Sequence, residues 1–155
     1  MTGRAAACYV FAMPHTVEIK ELTDDLLDQH FLDVLGHLSV VDLDVTKARE
    51  ILRVRKEEGT RTYVALEGDR VVGSASLVIE TKFLHGGGKV GHIEDVVVHG
   101  ASQGLGIGKK LVEHATLEAK NVGCYKCILA CTPANKPFYE KCGYREHEIE
   151  MRRDM

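Results

Sequence analysis

The chain has 155 residues, enough for one hydrophobic core and too few for a second catalytic module. Acids and bases are interleaved and sum to a formal charge of -3, so no global field favours nucleic acid or an anionic membrane surface. No apolar run approaches the roughly 20 residues of a membrane span, and Met1 to Ala12 lacks a full signal-peptide core, so a soluble cytoplasmic protein is expected.

Residues 1–15 read as a loosely ordered tail ending near Pro14, with a single domain over 16–155. Val17 to Leu22 alternates as a first strand. Thr23 offers an N-cap oxygen to a helix that would bury Leu27, Phe31, Val34, Leu35 and Leu38 and end at Ser39. A second helix is expected from Thr46 to Glu58, with Ile51, Leu52 and Val54 on its apolar side and Gly59 as its stop. Thr62 to Leu66 and Arg70 to Ile79 follow as strands joined by the hairpin signal Glu67-Gly68-Asp69. Lys82-Phe83-Leu84-His85 then runs into Gly86, Gly87 and Gly88, glycines that read as a flexible connection.

Gly91 to Val98 is a β-branched run that reads as a buried strand, and the glycine-rich stretch after it opens a helix burying Ile107, Leu111, Ala115 and Ala119. Cys124 to Cys131 forms a further strand. Asn135 caps a short helix with Phe138, Tyr139 and Cys142, and Tyr144 to Arg152 alternates loosely as a last strand. This order describes an α/β (α+β) fold, one mixed sheet with helices on both faces.

Five cysteines are an odd count that argues against a closed disulfide framework. Cys124 and Cys127, three apart on a strand, should point to opposite faces, and Cys127 and Cys131 would lie roughly 13 Å apart. Small buried hydrophobes are the expected role. The eight histidines show no paired zinc spacing, so no metal is expected.

Strand, glycine loop and helix together make an anion site, because glycines let successive N–H groups converge and the helix start adds its own unpaired donors. A nucleoside-triphosphate loop would need four residues between glycines and then Lys-Ser/Thr, whereas Lys109 is followed by Lys110. The dinucleotide fingerprint would need its third glycine where Lys109 stands. Gln103-Gly104-Leu105-Gly106-Ile107-Gly108 instead resembles the Gln/Arg-x-x-Gly-x-Gly/Ala loop of the GCN5-related N-acetyltransferases (GNAT family), which hold the pyrophosphate of coenzyme A.

Five further segments sharpen the likeness. Val34-Leu35-Gly36-His37-Leu38, Lys82-Phe83-Leu84-His85, Gly91 to Val98, Cys124-Tyr125-Lys126, and Asn135 with Phe138 to Tyr144 resemble, in order, the branch of that family acting on glucosamine 6-phosphate. The resemblance runs from about Val17 to Arg153. It implies the acyl-CoA N-acyltransferase fold, with the fourth strand splayed from the fifth. It also implies acetyl-CoA as co-substrate and transfer of its acetyl group, in a ternary complex, to the 2-amino group of D-glucosamine 6-phosphate on the way to UDP-N-acetylglucosamine. A homodimer with shared active sites is implied as well.

Carried over residue by residue, the resemblance assigns coenzyme contacts to Val96, Val97, Val98, Gln103, Gly104, Leu105, Gly106, Ile107, Gly108, Lys109, Asn135 and Tyr139. Ser39, in place of the usual threonine, Lys82, Phe83, Leu84, His85, Glu94, Asp95, Val96 and one of Arg152 or Arg153 would face the sugar phosphate; Arg153 is taken here. An amine attacking a thioester develops an oxyanion and expels a thiolate, so one donor is needed for each charge. The Val96 N–H would serve the oxyanion and Tyr139 the thiolate. Glu94 is a candidate proton acceptor, and Glu94 and Asp95, being adjacent on a strand, should face opposite sides. Where the branch has an acidic residue before the strand's cysteine, this chain has Ala130. The coenzyme loop does not specify the acceptor, so another amine, an amino sugar or a lysine, is the alternative, and an acyl-CoA-binding module without turnover is a third reading.

Overall fold

A computed structural model describes residues 16–155; the expected tail and Cys8 lie outside the described residues. Five strands, β1 (Glu18–Glu21), β2 (Thr60–Glu67), β3 (Arg70–Thr81), β4 (Lys89–Val98) and β5 (Cys124–Ile128), form one sheet in chain order. Pairing is antiparallel from β1 to β4, and β5 joins β4 in parallel after the crossover of α3 (Ile107–Asn121). Helices α1 (Phe31–Leu35) and α2 (Val45–Glu57) cover the opposite face, and α4 (Lys136–Lys141) packs beside α3.

The two-residue period of β2 and β3 divides the core. Tyr63, Ala65, Ala75, Leu77 and Ile93 turn toward Leu111, Val112, Ala115 and Ala119 of α3. Val64, Leu66, Val71 and Val97 turn toward Leu27, Phe31, Val34, Ala48 and Leu52. The helix-spaced residues after the glycine loop are thus the buried ones, as their spacing predicts. Gly91 is required by close approach: a Cβ there would stand 2.9 Å from the Ala119 Cβ.

Several expectations fail for local reasons. The helix expected after Thr23 breaks into a 3-10 turn, Leu26–Asp28, and the short α1, because His30 adopts a left-handed φ of 66° between them. Leu38 is consequently exposed. Asp44, not Thr46, starts α2, its carboxylate accepting the Lys47 N–H at 2.8 Å, and the buried side of that helix is Ala48 and Leu52 while Ile51 and Val54 face outward. The last strand expected over Tyr144 to Arg152 is absent: residues 145–155 are exposed and carry no regular element. A register shift at Tyr125, with Lys89 opposite Cys124 and Val90 opposite Lys126, overturns the cysteine geometry. Cys124 and Cys127 both pack against the α3 core. The glycines at 86–88 belong to a closed turn, in which the Gly87 and Gly88 N–H groups donate to the Leu84 carbonyl and Tyr125 lies against Gly88.

Candidate active site

The site is built on the second half of β4. Ser76 pairs with Glu94 and Ser74 with Val97, so Asp95 and Val96 stand opposite Ala75 alone. This is a bulge, and Asp95 makes it by taking a φ of 52°. The extra residue also cancels the alternation expected of Glu94 and Asp95. Glu94 shares the face of its partner Ser76, and Asp95 lines a cavity of about 100 Å³ on that same face with Ser74, Ser76, Thr62 and Arg55. Partial burial raises the Glu94 pKa, the neighbouring Asp95 charge raises it further, and His92 works against them more than Glu150 adds.

β5 follows β4 only from Lys89 to His92, where His92 pairs with Ile128. Beyond that point β4 continues to Val98 without a β5 partner, and the expected splay between the fourth and fifth strands is present. Main-chain groups on that edge face a wedge where an amide-containing chain can add as a strand.

Past β4, a 3-10 turn, Gly100–Ser102, leads into the glycine loop. The Gln103 Nε2 donates to the Val98 carbonyl at 3.2 Å, which ties the loop to the strand end. Gly104 and Gly106 hold φ values of 80° and 77°, and a Cβ on either would meet nothing within 4 Å. The cradle is therefore open above the start of α3, whose free N–H groups and dipole favour an anion such as a pyrophosphate. Lys109 stands in the first turn of α3, with Glu113 3.6 Å from its amine. Gly108 serves packing instead: its Cβ would reach 3.3 Å from the Phe138 Cζ and 3.5 Å from the Val98 Cγ2.

That contact seats α4 against the wedge. Tyr139 is half-buried, its ring 4.9 Å from Phe138, and burial followed by the nearby Cys131, Cys142 and Glu94 pushes its phenol pKa up. Phe138 and Tyr139 pack against the same core cluster as Val96 and Val98 of β4, which sets the phenol beside the end of that strand. A phenol kept protonated at neutral pH is a hydrogen-bond donor rather than a base. The Asn135 carbonyl accepts the Phe138 and Tyr139 N–H groups, whereas its side chain makes no cap, contrary to the capping expected.

Ser39 lies in the loop after α1, and that loop is held over the end of β4 by the edge contact of His37 with His99, centroids 4.4 Å apart. The remaining sugar-side candidates are elsewhere. Lys82, Phe83, Leu84 and His85 precede β4, and from Lys89 to Val96 the strand runs roughly 20 Å away from them. Lys82 pairs with Glu80, His85 packs on Tyr125, and Phe83 and Leu84 are exposed. Arg153 lies in the exposed C-terminal segment, not at the bulge of its own chain. Arg55, Ser74 and Ser76 were missed by sequence reasoning, although serines at alternate positions of an otherwise apolar strand are a signal that one face is not purely structural. No group of three or more His, Cys, Asp or Glu among the described residues is arranged to hold a metal ion.

A wedge for an acylated amide chain, an open cradle for its anionic end and a phenol beside both are the parts of an acyl transfer site. The model of the acetyltransferase (GNAT) family matches residues 19–144. The chain belongs to that family. GNAT relatives named glucosamine 6-phosphate N-acetyltransferase include one from Trypanosoma brucei brucei, 41% identical over 90% of this chain and 96% of its own, and one from Arabidopsis thaliana, 38% identical over 90% and 97%. The crystal structure of the Arabidopsis enzyme superposes with a TM-score of 0.84 at 36% identity, covering 90% of this chain and 98% of that one. A Trypanosoma brucei acetyltransferase structure matches with the same TM-score at 41% identity, covering 90% and 100%. As a GNAT member the chain is an acetyltransferase, and its splayed mixed sheet is the fold of that family.

Proposed function

We propose that this chain transfers the acetyl group of acetyl-CoA to the 2-amino group of D-glucosamine 6-phosphate, giving N-acetyl-D-glucosamine 6-phosphate and CoA. The observation carrying the reading is the bulge-and-wedge of β4, whose Val96 and Val98 pack in one cluster with Tyr139 and whose end leads to the open glycine cradle. The relatives of similar length named for this reaction supply the acceptor.

In this reading the loop from Gln103 to Lys109 holds the pyrophosphate on main-chain donors, and Val96 to Val98 pair with the pantetheine amides. The Val96 N–H faces the thioester carbonyl as charge develops, while Tyr139 donates to the departing sulfur. A phenol of pKa about 10 facing a thiol of about 8.5 gives up its proton reluctantly, so a strengthening hydrogen bond is its contribution. Ser39, Glu94 and Asp95 orient the sugar.

The distance separating Lys82 to His85 from the bulge of their own chain supports a homodimer in which that segment and Arg153 serve the partner's site. Two further features support it: the outer edge of β5 has no strand partner among the described residues, and Tyr125, Ile128, Phe83, Leu84 and Ile149 are exposed. One domain over 16–155, a cytoplasmic location, a role in UDP-N-acetylglucosamine synthesis, and no metal or nucleic acid complete the reading. No described helix is long and apolar enough to cross a membrane.

Thiol release from acetyl-CoA, measured with glucosamine 6-phosphate, glucosamine and a lysine peptide, tests the assignment. A kcat/KM for the sugar phosphate at least about 100-fold above both others is expected, since its phosphate adds charge-assisted hydrogen bonds. Turnover with the peptide and none with the sugar phosphate would leave acetyl transfer to another amine.

A further inference from the structure

Loss of an acid at Ala130 leaves open where the amine's proton goes, and the sheet face carrying Glu94 contains a second titratable group. His92 lies two residues before Glu94 on β4, so both side chains share that face about 7 Å apart along the strand. The half-buried His92 places its Nε2 3.0 Å from the Glu80 Oε2 on β3, and the other oxygen of Glu80 accepts from the Lys82 Nζ. A carboxylate must accept, so the Nε2–H donates and the neutral ring is left with an unprotonated Nδ1. Lys82 first and His92 second keep the Glu80 pKa low, so this carboxylate remains charged and able to support an imidazolium. His92 and Glu80 belong to neither the cradle nor the wedge.

Resting on the acetyl transfer reading above, we infer that His92, oriented by Glu80, relays the acceptor's proton from Glu94 to solvent. The acceptor ammonium gives one proton to the Glu94 carboxylate, and one water spans the remaining gap to Nδ1. The nitrogen lone pair then attacks the thioester carbon, and the C–S bond breaks with both electrons going to sulfur. Sulfur takes the second nitrogen proton and leaves as the free thiol, while imidazolium releases the first proton to solvent. One ammonium and one thioester thus yield one amide, one thiol and one proton. The charges set around the relay are Glu80 and Lys82 on β3, Glu94 on β4, Lys126 on β5 by register, and Glu150, which acts on Glu94; the Tyr139 phenol couples to Glu94 from α4.

The test is the pH dependence of kcat in the full-length protein, measured on whichever amine the wild type acetylates. His92→Gln should lower kcat about 100-fold at neutral pH, with the deficit closing as rising pH deprotonates the amine, and with KM for acetyl-CoA unchanged. Imidazole should restore turnover to His92→Ala, a response that a packing role would not give. Glu80→Gln, which keeps the shape of the side chain and removes its charge, should show a smaller loss with the same pH signature. A rate within about twofold of wild type in His92→Gln, or a loss equal at every pH and unmoved by imidazole, overturns the relay. If the wild type ignores glucosamine 6-phosphate, the acceptor assignment fails; if it is active and the His92 and Glu80 variants match it, the relay alone fails.

Discussion

Tyr139 and Tyr144 lie five residues apart and their rings meet edge-on with centroids 6.4 Å apart, yet their surroundings assign them different work. Tyr139 makes no side-chain hydrogen bond among the described residues and is coupled to Glu94 of the bulge, so its hydroxyl is available to a ligand. Tyr139→Phe should therefore lower kcat about 10- to 100-fold while leaving KM for acetyl-CoA within about twofold, read from steady-state kinetics. The Tyr144 hydroxyl lies 2.6 Å from the Thr116 Oγ1, and burial together with Cys127 pushes its pKa far above the ordinary phenol value. The folded chain keeps that proton at a pH where the unfolded chain, with a pKa near 10, has released it. Stability should accordingly fall above about pH 10, by as much as ~1.4 kcal/mol per pH unit from this group. Tyr144→Phe should remove that part of the slope, seen by comparing denaturation midpoints of both proteins at pH 9 and pH 11.

Among the elements, the helix after the glycines was legible because spacing alone places Ile107, Leu111, Ala115 and Ala119 on one face, and that is the face α3 buries. The bulge was not, because nothing in Glu94-Asp95-Val96 marks an aspartate for a positive φ; the signal lies in the pairing with β3, and pairing is tertiary. The same blindness misassigned the cysteines of β5. For Tyr144 to Arg152 the alternation was real but weak, with Arg145, Glu146, His147 and Glu148 in sequence, and within one chain no strand edge takes it up. A consequence at this scale concerns Gly108, where α3, α4 and the end of β4 come within van der Waals contact. Gly108→Val should displace Phe138 and tilt α4, costing about 1–3 kcal/mol and, because α4 carries Tyr139, lowering kcat as well as raising KM for acetyl-CoA. Thermal denaturation and kinetics on one preparation separate the two effects.

At the scale of the whole molecule, the proposed dimer explains why residues of one family motif set stand at opposite ends of a strand. It makes a quantitative demand. A Tyr139→Phe chain and an Arg153→Glu chain, each impaired as a homodimer, should regain activity when mixed and allowed to exchange. Random pairing gives half mixed dimers with one intact site each, so recovery should approach about a quarter of wild-type activity. No recovery, with exchange verified by mass, would mean that Arg153 does not serve the site of a neighbouring chain.

The parting of β4 from β5 beyond His92 leaves a strip of peptide groups whose hydrogen bonds go to water until a co-substrate replaces it. Such a strip should behave as a local thermometer of occupancy. Amides of residues 94–98 on that edge should exchange their hydrogens fast in the empty protein and slow markedly when coenzyme A is added, while those of β2 and β3 stay slow throughout.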